Sequence, residues 1–239
     1  MLDKVYTLLK SIGMTPEEVV LKWIEEGKID LNRIEELAKQ IEQNKSSEIK
    51  KLKQVKAGMF LTRNKTICNE FIPDECEAII LKVIADTGEA LVFNITGQTL
   101  AFAREGIAVD TTDFSGLNAT HFVSQMAKDM NVTPEAADYC LEFENAFVTK
   151  GNAFLLSKEE VADLVDVEAI CKSFEAAKLA DKTFWTSTTP ADSLKSDDEI
   201  FQTAYIFSLR GSRITLHSEY VSLPLCVHPA YKVKLKQIL

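Results

Sequence analysis

Apolar and polar positions follow different periods along the chain, and each period predicts a different kind of element. Within residues 1–56 the apolar residues recur every three or four positions, which predicts helices. Residues 58–104 contain continuous runs of β-branched and aromatic residues, which predict buried strands. Helical spacing returns over residues 118–179, and strand-like runs return over residues 201–233. This order of strands, helices and strands predicts an α+β domain whose first and last strands meet in one sheet.

Turn and capping residues set the expected element boundaries. Thr87 and Gly88 separate two β-rich runs and predict a hairpin. Ser157 and Glu160 have the spacing of a capping box that opens a helix. The predicted strands cover residues 77–86, 89–95, 100–104, 201–209, 213–217 and 225–233, and the predicted helices cover residues 118–130, 134–143, 157 onward and 167–179.

Residues 1–56 form the first of two predicted domains, a helical attachment or oligomerisation region. Thr15, Pro16 and Glu18 mark a helix start, and Asp30 is a suitable cap for a second helix. The second helix carries apolar residues at coiled-coil spacing: Leu31, Ile34, Ala38 and Ile41. Two interpretations remain open, the neck of a homo-oligomer, with a trimer favoured, and a helical hairpin that packs on its own domain.

The two predicted domains differ in net charge. The chain has a net charge of −9, yet residues 1–56 are nearly neutral. Residues 57–239 hold 16 Lys and Arg against 26 Asp and Glu, a net charge of −10. Because such a domain repels phosphate backbones, no nucleic-acid partner is expected.

Neither a membrane span nor an export signal is expected from the sequence. No window approaches 18 consecutive apolar residues, and the N-terminus lacks an apolar segment followed by a cleavage site. The chain is therefore expected to be made in the cytoplasm without a signal peptide.

The five cysteines are scattered and show no C-x-x-C spacing. This distribution predicts reduced, mostly buried thiols, with neither a disulfide framework nor a metal or cofactor site. The cysteines are Cys68, Cys76, Cys140, Cys171 and Cys226.

The stretch KTFWTSTTPADS, residues 182–193, admits three interpretations: a catalytic serine, an aromatic ligand platform or a fold marker. A nucleophilic Ser187 would need a base and an oxyanion donor, and no motif supplies them. Trp185 is better explained as a core anchor. Phe184 and Trp185 are expected to alternate, one ring buried and one near the sheet edge. The hydroxyl groups that follow are expected to satisfy backbone groups where the strand ends.

Six short segments occur in a fixed order between residues 57 and 235. They are Gly116–Thr120 (GLNAT), Ala136–Tyr139 (AADY), Ala153–Glu160 (AFLLSKEE), Phe184–Thr188 (FWTST), Ala204–Tyr205 (AY) and Val227–Ala230 (VHPA). This succession resembles a family of bacterial and phage domains with a C-type-lectin-like fold, distantly akin to formylglycine-generating enzymes and retroelement variable proteins. The third segment lacks the family's Trp and Pro, and His228 replaces the family's Arg, so a salt bridge there is in doubt.

The resemblance implies a non-enzymatic display domain, such as a phage head fibre or virion decoration protein, with residues 1–56 contacting a capsid protein. A bacterial surface adhesin is one alternative. A divergent enzyme is another, and it would need a deep cleft holding two of His121, His217 and Asp197.

In this fold, the resemblance places a protein or glycan ligand near the loops and hairpin that follow the Trp box. The candidate ligand residues are Trp185, Asp192, Asp197, Asp198, Arg210, Arg213, His217 and Tyr220. The acidic loop 192–199 lacks the triplets of calcium-dependent sugar binders, so a solvated loop is favoured over a calcium site.

Overall fold

A computed structural model describes residues 52–104, 106–107, 109–190 and 202–238, together with Gly27 and Lys39. The chain divides into two units, Met1–Lys51 and Leu52–Leu239. The second unit begins a few residues before the predicted domain boundary at residue 57, which stays a prediction. The coiled-coil positions Leu31, Ile34, Ala38 and Ile41 lie outside the described residues.

Ten strands occur in the described part of the second unit. They are β1 (Phe60–Thr62), β2 (Ile67–Cys68), β3 (Cys76–Ile84), β4 (Glu89–Asn94), β5 (Gln98–Leu100), β6 (Phe184–Trp185), β7 (Thr203–Arg210), β8 (Arg213–Tyr220), β9 (Leu225–Val227) and β10 (Ala230–Lys234). β3 and β4 form the hairpin predicted at Thr87 and Gly88, since they pair antiparallel and Gly88 adopts a positive φ of 65°.

The strands form two five-stranded sheets, ordered β10-β4-β3-β1-β2 and β5-β9-β6-β7-β8. The first sheet contains both the first and the last strand, as predicted, although β3 and β4 lie between them. The second sheet is mixed, because β6 pairs parallel with β9 and antiparallel with β7. The domain is therefore α+β.

Four α-helices lie between the strands in the described part of this unit. They are α1 (Gly116–Asp129), α2 (Glu135–Glu142), α3 (Lys158–Ala162) and α4 (Val167–Ala176), and a 3-10 helix follows at Leu235–Gln237. The capping box of α3 is confirmed: the Glu160 amide donates to Ser157 Oγ at 3.1 Å, and the Ser157 amide donates to Glu160 Oε2 at 2.9 Å.

Among the described residues, apolar side chains form three clusters. The first joins residues of both sheets and α4, with Phe93 ringed by Phe174, Phe184 and Phe207 at centroid distances of 5.3–5.9 Å. The second joins the other face of the second sheet to α1 and α2, and the third lies on the other face of the first sheet. Both sheets are thus covered by apolar side chains on two faces.

Two strand predictions were wrong in their extent. The single strand expected over residues 225–233 is interrupted at His228 and Pro229, and its halves, β9 and β10, belong to different sheets. Proline lacks an amide hydrogen and fixes φ, so it breaks a ladder. The strand expected over residues 100–104 ends at Leu100, because the amides of Phe102 and Ala103 both donate to the Val221 oxygen outside a ladder.

Candidate functional site

The β7–β8 hairpin contains the strand that ends the second sheet. Eight residues of each strand pair in continuous antiparallel register, from Thr203 with Tyr220 to Arg210 with Arg213. Gly211 opens the two-residue turn at φ 56°, where type II′ hairpins place glycine. The hairpin therefore presents one long, regular strand, β8, at the end of the second sheet.

β8 is an edge strand that pairs only with β7 among the described residues. Beyond its end, the Val221 amide donates to the Gln202 oxygen at 2.9 Å. Because hydrogen-bonded pairs alternate along an antiparallel ladder, Arg213, Thr215, His217 and Glu219 bond to β7. The main-chain groups of Ile214, Leu216 and Ser218 therefore point away from the sheet, and these three residues are called the open edge below.

An apolar groove runs beside the open edge. Its volume is about 420 Å³, and it is lined by Val161, Ala162, Leu164, Val167, Ser212, Arg213, Ile214 and Leu216. Ile214 and Leu216 are half-buried and pack against the first apolar cluster. Side chains of the groove and main-chain groups of the open edge thus lie next to each other, which suits an extended peptide.

The hairpin tip carries positive charge on an otherwise acidic domain. Arg210 and Arg213 are exposed and lie directly opposite each other in the register. Neither guanidinium forms an ion pair with a described residue. Like charges directly opposite each other are unfavourable, so an acidic ligand group would relieve their repulsion.

The predicted ligand residues are only partly brought together. Arg210, Arg213 and His217 lie on the same face of the hairpin, and His217 Nε2 lies 3.6 Å from Glu219 Oε1. Tyr220 is exposed but belongs to the opposite face of β8. The acidic residues Asp192, Asp197 and Asp198 lie outside the described residues.

Trp185 lies in the core, with only 2% of its surface exposed, so its ring is not available to a surface ligand. Its indole Nε1 donates to the Leu100 oxygen at 3.1 Å. Phe184 is equally buried, and the expectation that one of the two rings would lie near the sheet edge was wrong. The reason is that β6 is a central strand with an apolar cluster on each face.

The hydroxyl-bearing residues after Trp185 satisfy backbone groups, as predicted, but they are buried. Thr186 Oγ1 donates to the Tyr205 oxygen at 2.9 Å, and Thr188 Oγ1 accepts from the Lys158 amide at 3.0 Å. Ser187 Oγ is fully buried and has no hydrogen-bond partner among the described residues. In this position the hydroxyl has neither the base nor the access that a nucleophile requires.

His228 is a buried histidine whose Nδ1 has a hydrogen-bond partner. Its Nδ1 lies 2.9 Å from the Asn94 oxygen, and its ring stacks on Phe93 at a centroid distance of 5.3 Å. The pKa of His228 is lowered to about 4, mainly by burial and to a smaller extent by nearby Lys182, against the opposing effect of the Asn94 bond. The ring is therefore neutral at pH 7, with Nδ1–H donating to the carbonyl.

A second cavity of about 360 Å³ lies near the start of α1. It is lined by Ser115, Leu117, Phe147, Val148, Thr149, Asn152, Phe154, Glu160 and Lys232. Burial raises the pKa of Glu160, while hydrogen bonds from the Ser157 and Gly116 amides oppose this rise. The Glu160 carboxylate caps α3, so its position in the cavity is explained without a bound ligand.

The three residues named for a divergent enzyme are not assembled in the described structure. His121 lies on α1 with Nε2 2.8 Å from the Gly151 oxygen, and His217 lies on β8. Asp197 belongs to the part that is not described. Within the described ranges, no group of three or more His, Cys, Asp or Glu side chains is placed to hold a metal ion. None of the described helices has the length and apolar content that a membrane crossing requires.

The open edge was missed by sequence reasoning, although a signal was present. The segment RITLHSEY alternates apolar with polar residues through Leu216 and contains no Pro or Lys, the residues that commonly protect edge strands. Which strand lies at the edge depends on the sheet order, which local patterns do not give.

No protein-family model matches the chain, and no curated protein matches it. Among solved structures, the chain is similar to a fimbrial protein from Bacteroides ovatus ATCC 8483, with a TM-score of 0.52 and 13% sequence identity. The similarity covers 75% of this chain and 49% of that protein, so the chain spans about half of that protein's length. At this identity the likeness concerns the fold alone.

Proposed function

We propose that the chain is a non-enzymatic structural and binding protein whose C-terminal unit binds an extended segment of a protein partner along β8. The observation that carries this proposal is the open edge beside an apolar groove. An added strand would pair its main chain with Ile214, Leu216 and Ser218. Its inward side chains would enter the groove, so the main chain supplies affinity and the groove supplies specificity.

The charge of the hairpin tip defines the chemistry of the partner segment. Arg213 lies at the end of β8 beside which an added strand would begin, Arg210 lies opposite it on β7, and neither has a described ion-pair partner. The segment should therefore carry Asp or Glu at that end and alternating apolar residues along its length. Guanidinium groups favour carboxylates because they form paired, charge-assisted hydrogen bonds.

The proposed setting is an extended surface assembly that presents several copies of the domain. The resemblance to C-type-lectin-like domains supports a phage virion component, such as a head fibre or decoration protein. The fold similarity to a fimbrial protein supports the alternative of a bacterial surface protein. In both settings the chain has no catalytic role and uses β8 for recognition.

Selection of peptides from a displayed random library against the immobilised full chain tests the proposal. The expected binders are extended, alternate apolar with polar residues and carry an acidic end. They should lose binding to Leu216→Glu, which places a charge in the groove, and keep it with Thr215→Glu, on the opposite face of β8. Peptides that bind both variants equally, or binding to a glycan array alone, would contradict the proposal.

The multivalent setting depends on self-association through residues 1–56. Light scattering after size exclusion should give a trimer mass for the full chain. Leu31→Gln, Ile34→Gln and Ile41→Gln together should give a monomer with the circular dichroism of a folded C-terminal unit, because polar residues at coiled-coil seam positions oppose helix pairing. Glu36→Gln, at the outward f position of the same heptad, is the matched control and should remain trimeric. A monomeric full chain would contradict the proposed assembly of several copies through residues 1–56.

A further inference from the structure

Two cysteines on different strands, Cys68 and Cys76, lie side by side in the fold. Cys68 ends β2 and Cys76 begins β3, and both strands pair with β1, at Phe60 and Thr62 respectively. The two Sγ atoms are 3.9 Å apart. Seven residues separate the cysteines along the chain, so the spacing is not that of a familiar metal motif.

A main-chain oxygen completes a triangle with the two sulfur atoms. The Glu70 carbonyl oxygen lies 3.3 Å from Cys68 Sγ and 3.8 Å from Cys76 Sγ. The centre of this triangle lies about 2.1 Å from all three atoms, close to zinc–sulfur and zinc–oxygen bond lengths of about 2.3 Å and 2.0–2.2 Å. An ion slightly above the triangle would bond to all three without moving the backbone.

One contact favours a thiolate on Cys76, whereas burial and the neighbouring Cys76 raise the pKa of the Cys68 thiol to about 11, so the cation has to displace the Cys68 proton. The Ile72 amide donates to Cys76 Sγ at 3.2 Å, which stabilises negative charge on that sulfur. The turn that brings this amide into place is closed by the amides of Glu75 and Cys76, which both donate to the Ile72 oxygen. Cys76 is buried and Cys68 is half-buried, so the site is anchored on one side and reachable from solvent on the other.

We infer that Cys68, Cys76 and the Glu70 carbonyl oxygen bind a thiophilic divalent cation of the zinc class, with a fourth position open to solvent. On binding, each thiol releases its proton to solvent and the ion takes up two thiolates, with no change of oxidation state. Thiolate ligands select such ions over magnesium or calcium. The ion would tie the 69–75 loop and β2 to the start of β3.

Zinc titration of the reduced full chain, in competition with a chromophoric chelator, tests the inference. One zinc ion should bind per chain. Cys68→Ser should weaken the affinity more than about 100-fold, since losing even an outer hydrogen-bond partner of a ligand costs 10–100-fold. Cys68 is half-buried at a sheet edge, so this variant is expected to fold. Cys226→Ser, which changes another half-buried thiol, is the matched control and should bind as the wild type does.

Protection from alkylation gives a second readout that does not depend on a variant. Stoichiometric zinc should protect the half-buried Cys68 from N-ethylmaleimide, as peptide mass spectrometry of the labelled chain would show, and should leave the labelling of the half-buried Cys226 unchanged. Zinc binding that survives Cys68→Ser, protection of Cys226, or no zinc binding by the reduced chain would each overturn the inference.

Discussion

Replacing Trp185 with Ala should lower the free energy of unfolding by about 4 kcal/mol, within the range for large aromatic residues in cores. The indole is buried in the second apolar cluster, where its ring centroid lies 5.6 Å from that of Phe102. Truncation leaves a cavity and also removes the donor to the Leu100 oxygen. This combination makes Trp185 the most costly single truncation that we predict.

Urea denaturation followed by far-ultraviolet circular dichroism measures this effect without relying on the lost fluorophore. Trp185→Phe is the matched control, because it keeps most of the ring but removes the hydrogen bond. It should cost about 1–3 kcal/mol from the unpaired carbonyl and the smaller ring. A loss below 1 kcal/mol for Trp185→Ala would place the indole at the surface and revive its assignment as a ligand platform.

The second large effect is a loss of stability at acidic pH that depends on His228. The pKa of this histidine is lowered from 6.5 to about 4 in the fold, first by burial, so the native state holds the neutral ring. Below pH 6.5 the unfolded chain binds a proton that the folded chain does not. Stability therefore falls by about 1.4 kcal/mol per pH unit between pH 6.5 and pH 4, about 3 kcal/mol in total.

Denaturation of the wild type and His228→Gln across this pH range isolates the contribution. The glutamine amide can still donate to the Asn94 oxygen but does not titrate, so the variant should have the shallower slope. Comparing the two proteins cancels the opposite contribution of Glu160, whose pKa is raised by burial. His217→Gln, which changes an exposed histidine, is the control. Equal slopes for wild type and His228→Gln would show that His228 is not buried as a neutral ring.

Local features of the fold were predictable from the sequence. The capping box at Ser157 and the hairpin at Thr87 and Gly88 each depend on residues close together in the chain. Helix positions within residues 118–179 were also predicted to within a few residues, because the apolar period is local.

Features that depend on sheet order were not predictable. Phe184 and Trp185 form a two-residue strand, too short for its pattern to show that both faces of the sheet are covered. The break at Pro229 was visible, but the transfer of β10 to the other sheet was not. The juxtaposition of Cys68 and Cys76 likewise arises only because β1 pairs with both of their strands.

The functional proposal depends on the open edge of β8. Ser218 is the position at which this edge can be altered with the least change to the rest of the sheet. This exposed residue carries a main-chain amide that points away from β7, so proline there removes an outward donor and keeps the ladder. Ser218→Ala keeps the amide and is the matched control.

The most direct measurement is the affinity of a selected peptide for the wild type, Ser218→Pro and Ser218→Ala by isothermal titration calorimetry. We expect Ser218→Pro to bind at least about 10-fold more weakly, corresponding to about 1.4 kcal/mol. Ser218→Ala should bind as the wild type does, with both variants folded by circular dichroism. Equal affinity for wild type and a folded Ser218→Pro would contradict strand addition at β8.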